Sequence, residues 1–335
     1  MNEHSKKQTK RLLVRGAIGL VVTVGLVWVL FRYVDWPEVW GVLRRVGPRH
    51  AALGLGIYLL LYLVRGYRFW LLAPRTPFPV MMCITAVHNV LLRLLPMRTG
   101  DFSYAILVKR AGTAGLGESL IDVLLLRLLD TTAVVALFAA TLALNPGLFR
   151  ASVPITLAAT CGVGTFGLLC VLFFRPLLRL SHAGASRLLR LVRVDRHPRI
   201  GAFLTKIDRT VTTYRALPTR TVLGLAACTM AQWILNFVFV FAIMRAFSIS
   251  VGPAQAVLGG TAAVVTGFLP IGGIGSFGTL EAGWALGFAL VGLPANVAVA
   301  SGFGFSIVTF VYAALFGVIG WFLLGRVGRA RSTTP

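Results

Sequence analysis

Six apolar runs, near residues 12–31, 51–72, 118–144, 153–174, 221–247 and 298–324, dominate what this chain can fold into. Each is long enough to cross a hydrocarbon core of roughly 30 Å, which takes about 20 helical residues. Inside a bilayer each backbone N–H and C=O needs a partner within its own segment, so these runs are expected as helices. Composition agrees: 57% of the residues are hydrophobic and only 13% are charged, where a soluble domain carries about 25%. The expected fold class is all-α integral membrane, one polytopic domain over residues 1–335.

Two further apolar regions, 80–111 and 254–292, are interrupted in the middle by Pro and Gly. Each is too broken for one clean span and too short for two. Paired half-helices that enter and leave on the same side satisfy both limits, provided protein or a wet cavity shields the irregular backbone. The two regions also resemble each other. "LLRLLPMRTGDF" and "VTGFLPIGGIGSF" share a Leu-Pro-aliphatic core at Pro96 and Pro270, 174 positions apart, and the neighbouring spans are offset by a similar distance. The expected architecture is about six full transmembrane helices plus two re-entrant hairpins in an inverted repeat. Its halves cover 12–174 and 221–324, joined by a basic loop over 175–220. The hinge positions are Pro96 and Gly100 in the first hairpin, and Pro270, Gly272, Gly273 and Gly275 in the second. A broken helix in each half is the best sequence pointer to a transport-type site.

The formal net charge is +23, yet nucleic acid is not the expected partner, because the cations flank apolar runs or fall in one loop. That loop holds eleven Arg and Lys against Asp195 and Asp208. It is expected in the cytoplasm, with the Lys6, Lys7, Lys10 and Arg11 lead and the Arg326, Arg329 and Arg331 tail. The first run exceeds a signal-peptide core and lacks a small-x-small cleavage site, so it is read as a retained span. The 32–50 loop then faces outward despite four arginines, and the two hairpins enter from opposite sides. Within the basic loop, 177–194 reads either as an amphipathic helix on the anionic leaflet or as an ordinary solvated helix. Cys83, Cys161, Cys170 and Cys228 lack CxxC spacing, so no disulfide, metal or other cofactor is expected.

Charges inside spans are costly and usually face a bundle interior with a partner. In "ESLIDVLLLRLLD", Arg127 falls about 13 Å beyond Glu118 along a helix, at 1.5 Å per residue. Asp130 follows at i+3, within pairing distance. Two readings stay open: a buried pair that fixes packing, or Arg127 facing a cavity and held there by Asp130. In the first broken helix, Arg93, Arg98, Lys109 and Arg110 outnumber Asp101. A half-helix N-terminus and planar guanidinium forks both suit a phosphate. Lys109 and Arg110 read as interfacial snorkelling residues. So does Arg68, whereas Arg65, a turn deeper, is placed toward the cavity. His88 and Asn89 precede the break and offer hydrogen bonds there. Glu281, the only acid after Asp208, is open to proton coupling, to pairing with a cation or to capping a half-helix. The Gly-rich turn before it lacks Lys-Ser/Thr and a preceding strand, so it is not a nucleotide loop.

At these residues the chain resembles a known family, the flippase-like membrane proteins related to the N-terminal domain of lysylphosphatidylglycerol synthases. That family carries P-x-R-x-G-E-x-x-R, then L-x-x-R-L-x-D, then a Gly-rich P…GxG…E segment. Here these are "PMRTGDFSY", "LLLRLLD" and "PIGGIGSFGTLE", matching at Pro96, Arg98, Gly100, Arg127, Asp130, Pro270, Gly273, Gly275 and Glu281. Asp101 stands where Glu is usual and Tyr104 where Arg is usual. The chain ends soon after its last span, so the synthases' soluble aminoacyl-transferase domain is expected to be absent. The resemblance then implies lipid translocation rather than enzymatic lysyl transfer.

The expected function is transport of an anionic lipid, or of a polyprenyl-phosphate-linked lipid, between leaflets of the cell membrane. Arg65, Arg93, Arg98 and Arg127 would take the phosphate, Asp101 and Asp130 would orient those cations, and Glu281 would serve the opposite gate. Two other readings remain: a membrane enzyme or subunit acting on lipid-linked sugar, and a scaffold for a partner lipid-modifying synthase. Gly283 and Gly287 form a GxxxG, compatible with a homo-oligomer but common by chance among 36 glycines.

Overall fold

A computed structural model describes residues 35–95, 99–148, 218–267 and 278–332 of the chain. The expected spans at 12–31 and 153–174, all but the last residues of the basic loop, and both hairpin tips lie outside these residues. Among the described residues all regular structure is helical. The helices are α1 (Trp36–Arg44), α2 (Pro48–Leu72), α3 (Phe78–Leu94), α4 (Asp101–Arg110), α5 (Leu116–Leu144), α6 (Thr219–Ala246), α7 (Pro253–Gly267), α8 (Thr279–Leu290) and α9 (Ala295–Ser332), with a 3-10 turn at Pro146–Leu148.

Four helices, α2, α5, α6 and α9, are long and apolar enough to cross a membrane. Large apolar side chains cover their outer faces, among them Leu53, Leu60, Leu124, Leu223, Val318 and Phe322, all exposed. In water such a surface would aggregate, whereas against acyl chains it costs nothing. Proline sets several starts: Pro48 opens α2, and Pro77 and Pro218 precede α3 and α6. At those sites the missing N–H would have lacked a helical partner anyway. Elsewhere a carboxylate closes the first turn. The Gly115 N–H donates to Glu118 at 3.1 Å at the head of α5, and the Gly278 N–H donates to Glu281 at 2.7 Å at the head of α8. Gly278 has φ of 96°, which a side-chain-bearing residue rarely adopts.

The 32–50 segment, expected as a loop, contains α1. Asp35 caps it by accepting from the Glu38 N–H at 3.4 Å, and Val39 and Val42, three apart, are buried together. Trp36 meets Phe303 of α9 at 5.9 Å between ring centroids, and Asn296 donates to Glu38 at 2.8 Å. The helix therefore packs on the bundle instead of hanging as a connection.

Both broken regions form antiparallel helical pairs. In the first, His88 of α3 meets Ser103 of α4 at 2.8 Å, and Gly100 lies against the backbone of Leu91 and Leu92. A Cβ at Gly100 would fall 2.6 Å from the Leu92 Cα, so only glycine fits there. In the second, Gly287 of α8 faces the Gly259 carbonyl, Gly283 faces Ala262 and Thr266, and Gln255 donates to the Val291 carbonyl at 3.0 Å. The Gly283/Gly287 pair is thus an interface within the chain. That contact accounts for the GxxxG without a second copy.

Around these hairpins, α2 runs antiparallel to α6. Gly54 sits beside Ile243, Tyr58 beside Phe239 and Gly224 beside Leu71. The hairpin arm α3 packs on α9, and the arm α7 packs on α5.

Candidate functional site

A cavity of about 260 Å³ lies where the hairpins meet the long helices, and every helix from α2 to α9 contributes to its wall. Its lower-polarity lining includes Leu61, Phe69, Val240, Ala263, Trp284 and Phe305. Against this apolar wall stand four arginines, Arg65, Arg68, Arg93 and Arg127, and two acids, Asp101 and Asp130.

Arg68 is 2% exposed and its Nη2 lies 2.8 Å from Asp130 Oδ1, while its Nη1 donates to Gln232 at 2.6 Å. The Trp233 indole N–H also donates to Asp130, at 2.9 Å. One carboxylate and one guanidinium therefore tie α2, α5 and α6 together. At this depth an unpaired ion would cost several kcal/mol. The expectation that Asp130 holds Arg127 is corrected here. Arg127 Nη2 instead contacts Asp101 Oδ1 at 2.8 Å across the α4–α5 interface. The i+3 spacing allowed the intrahelical pair, but the nearer arms of α2 and α4 supply each ion with a better partner. Arg68, read as a snorkelling residue, is corrected for the same reason: the helix-crossing acid draws it inward.

Arg65 is different. Its Nη1 donates to the Asn89 side-chain oxygen at 2.5 Å, and Asn89 in turn donates to the Tyr58 hydroxyl at 2.8 Å. Among the described residues neither Arg65 nor Arg93 has a carboxylate within ion-pair distance, and the Arg93 Nε is buried without a hydrogen-bond partner. Beside them, Ser103 donates its one hydroxyl proton to the Gly100 carbonyl at 2.6 Å. His88 Nδ1 must then be the donor in its contact with that hydroxyl. Phe69 and Tyr104 fix the ring edge-on, at 5.7 and 5.8 Å. Tyr104, standing where the family usually has Arg, is fully buried and stacks on Phe69 at 4.2 Å.

Of the residues expected at the site, Arg65, Arg93, Asp101, Arg127 and Asp130 line this one cavity. Glu281 does not. It is buried at the start of α8, where it caps the Gly278 N–H and accepts a short hydrogen bond from Ser306 of α9. Arg98, Pro96, Pro270, Gly272, Gly273 and Gly275 lie outside the described residues. Lys109 and Arg110 are exposed at the end of α4. Sequence reasoning passed over Gln232, Trp233 and Asn236. The signal was present, since Gln232 and Asn236 are four apart in an otherwise apolar run and so share a helix face.

No metal-ligand cluster of His, Cys, Asp or Glu occurs among the described residues. Neither a curated protein nor a solved structure matches the chain. The family described as the lysylphosphatidylglycerol synthase TM region matches residues 16–317. With four apolar spans and a match over nine-tenths of its length, this multi-pass membrane protein belongs to that family.

Proposed function

We propose that the protein moves an anionic lipid between leaflets, with the headgroup phosphate bound in the cavity between the two hairpins. One observation carries this reading: Arg65 and Arg93 bring charge without a carboxylate partner into an apolar cavity inside the bundle. Cations without a salt-bridge partner in such a place are costly and mark substrate or ion pathways. Guanidiniums suit phosphate oxygens, which they take in a bidentate fork. Arg127 and Arg98 complete the set in this reading, Asp101 orients Arg127, and Asp130 holds Arg68 in the floor.

An inverted repeat supplies the route. The helices of the two halves pair in chain order, with starts at Pro48 and Thr219, Phe78 and Pro253, Asp101 and Thr279, and Leu116 and Ala295, which are 171, 175, 178 and 179 positions apart. The packing supports the same two-fold relation: α2 on α3 corresponds to α6 on α7, α4 on α5 to α8 on α9, and α3 on α9 to α7 on α5. The α2–α6 pair, antiparallel and shared by both halves, sits where the axis would pass. A site on such an axis opens alternately to each leaflet as one half rocks against the other. We place both termini and the 175–220 loop in the cytoplasm of a cell-membrane protein, on the charge distribution.

The test is headgroup movement in proteoliposomes. Wild-type protein should accelerate exchange of anionic lipid across the bilayer, and Arg93→Gln should abolish most of that acceleration while remaining folded. Wild-type vesicles that exchange lipid no faster than protein-free ones, under any imposed ion gradient, would contradict the reading.

A further inference from the structure

The distribution of acids narrows the headgroup further; the step rests on the lipid-translocation reading above. The chain has ten Asp and Glu. Glu3, Asp195 and Asp208 lie outside the described residues. Asp35, Glu118 and Glu281 cap helices, and Glu38 accepts from Asn296. Asp122 is buried on α5 and does not line the cavity. Asp101 and Asp130 remain, and each already meets an arginine at 2.8 Å. The segments 96–98 and 268–277, outside the described residues, contain Arg98 and no acid in sequence. Among the described residues, then, the cavity has no uncommitted carboxylate to receive an ammonium group.

Its cations are arranged for the opposite task. Arg93 follows Asn89 by four residues, on the same face of α3, and Asn89 holds the Arg65 guanidinium. Two guanidiniums without carboxylate partners therefore converge on one stretch of wall. Their charge is matched by a group that brings two negative charges at one end. A phosphate monoester carries about −1.5 to −2 near neutral pH, whereas a phosphodiester carries only one. An aminoacyl or ethanolamine headgroup would in addition push its ammonium among four arginines, where like charges repel.

We propose that the transported lipid ends in a terminal phosphate, a monoester or diphosphate on an apolar chain, and bears no ammonium group. This departs from lysylphosphatidylglycerol, the lipid in the family's name. Arg65 and Arg93 are the residues that set the preference.

Binding to the purified full-length chain in detergent decides it, measured with short-chain phosphatidate, phosphatidylglycerol and lysylphosphatidylglycerol, and with inorganic phosphate. Phosphatidate should bind at least about tenfold more tightly than phosphatidylglycerol, a gap of one decade in Kd. Lysylphosphatidylglycerol should bind more weakly still. Arg93→Gln and, independently, Arg65→Gln should each reduce phosphatidate affinity to the level of phosphatidylglycerol. The wild-type ligand series stands even if one variant does not fold. Equal or tighter binding of the diester or the lysyl lipid overturns the inference and leaves lipid translocation intact. Inorganic phosphate competing at the concentrations at which phosphatidate binds overturns the lipid as the source of the phosphate. If no lipid of any charge binds, and none moves in proteoliposomes, the underlying reading fails as well.

Discussion

In the first hairpin α3 and α4 meet through His88, Ser103 and the backbone around Gly100, and their inner face presents Arg93 and Asp101 to a cavity. In the second, α7 and α8 meet through Gly259, Ala262, Gly283 and Gly287, backbone nearly against backbone, and their one acid is spent on capping. Both are antiparallel arms interrupted at a proline, yet one places charge where it is costly and the other packs as tightly as side chains allow. In the proposed function the difference gives binding to the first hairpin and rigidity to the second. A pair of hairpins with the same chemistry would hold a ligand equally from both sides; in the proposed function this pair would hold it from one side and move against a stiff counterpart.

The largest effect is expected at the floor beneath both hairpins. Asp130→Ala strands the buried Arg68 and should cost about 3–5 kcal/mol, read as a lowered Tm in detergent. The paired change Arg68→Met with Asp130→Leu should recover most of that loss, because it removes both ions together. A single substitution with an unaltered Tm would mean the pair does not tie α2 to α5. Next comes the second hairpin. Gly287→Ala places a methyl 2.1 Å from the Gly259 carbonyl oxygen and should cost about 1–3 kcal/mol through overpacking. Thermal unfolding by tryptophan fluorescence reads it directly.

The first hairpin should respond in the reverse sense. Arg93→Gln removes a half-buried charge with no acid against it, so stability should hold or rise while lipid movement falls. If Tm drops as far as for Gly287→Ala, Arg93 is a packing residue and the contrast between the hairpins collapses. The smallest effect belongs to Asp101→Asn. The Asp101 and Arg127 side chains are 21% and 29% exposed, so losing their pair should cost only about 0.2–1 kcal/mol. It would free a third guanidinium, and phosphatidate affinity should rise rather than fall.

Much of this contrast was legible in the sequence. Long apolar runs and paired Pro-Gly interruptions mark helices and hairpins because backbone hydrogen bonding in lipid leaves few other structures. Arg65, Arg93, Asp101, Arg127 and Asp130 stand out as charges where charge is costly. Their partners did not follow from sequence, because spacing along one helix reveals only neighbours at i+3 and i+4. Arg68 with Asp130 and Asp101 with Arg127 cross between helices that are 62 and 26 positions apart in the chain. Gln232 and Asn236 went unnoticed because neutral amides barely disturb the hydropathy of α6, although they share one face of it. The GxxxG of α8 read equally well as a contact with another chain, since glycine spacing says nothing about which helix approaches.

The most direct test is a density map of the protein purified with its native lipids in nanodiscs. The account predicts a phosphate-shaped feature bridging Arg65 and Arg93, continuous with an acyl or prenyl chain leaving between the hairpins. An empty or water-filled cavity in protein that is active in proteoliposomes, with lipid bound elsewhere on the bundle, would contradict it.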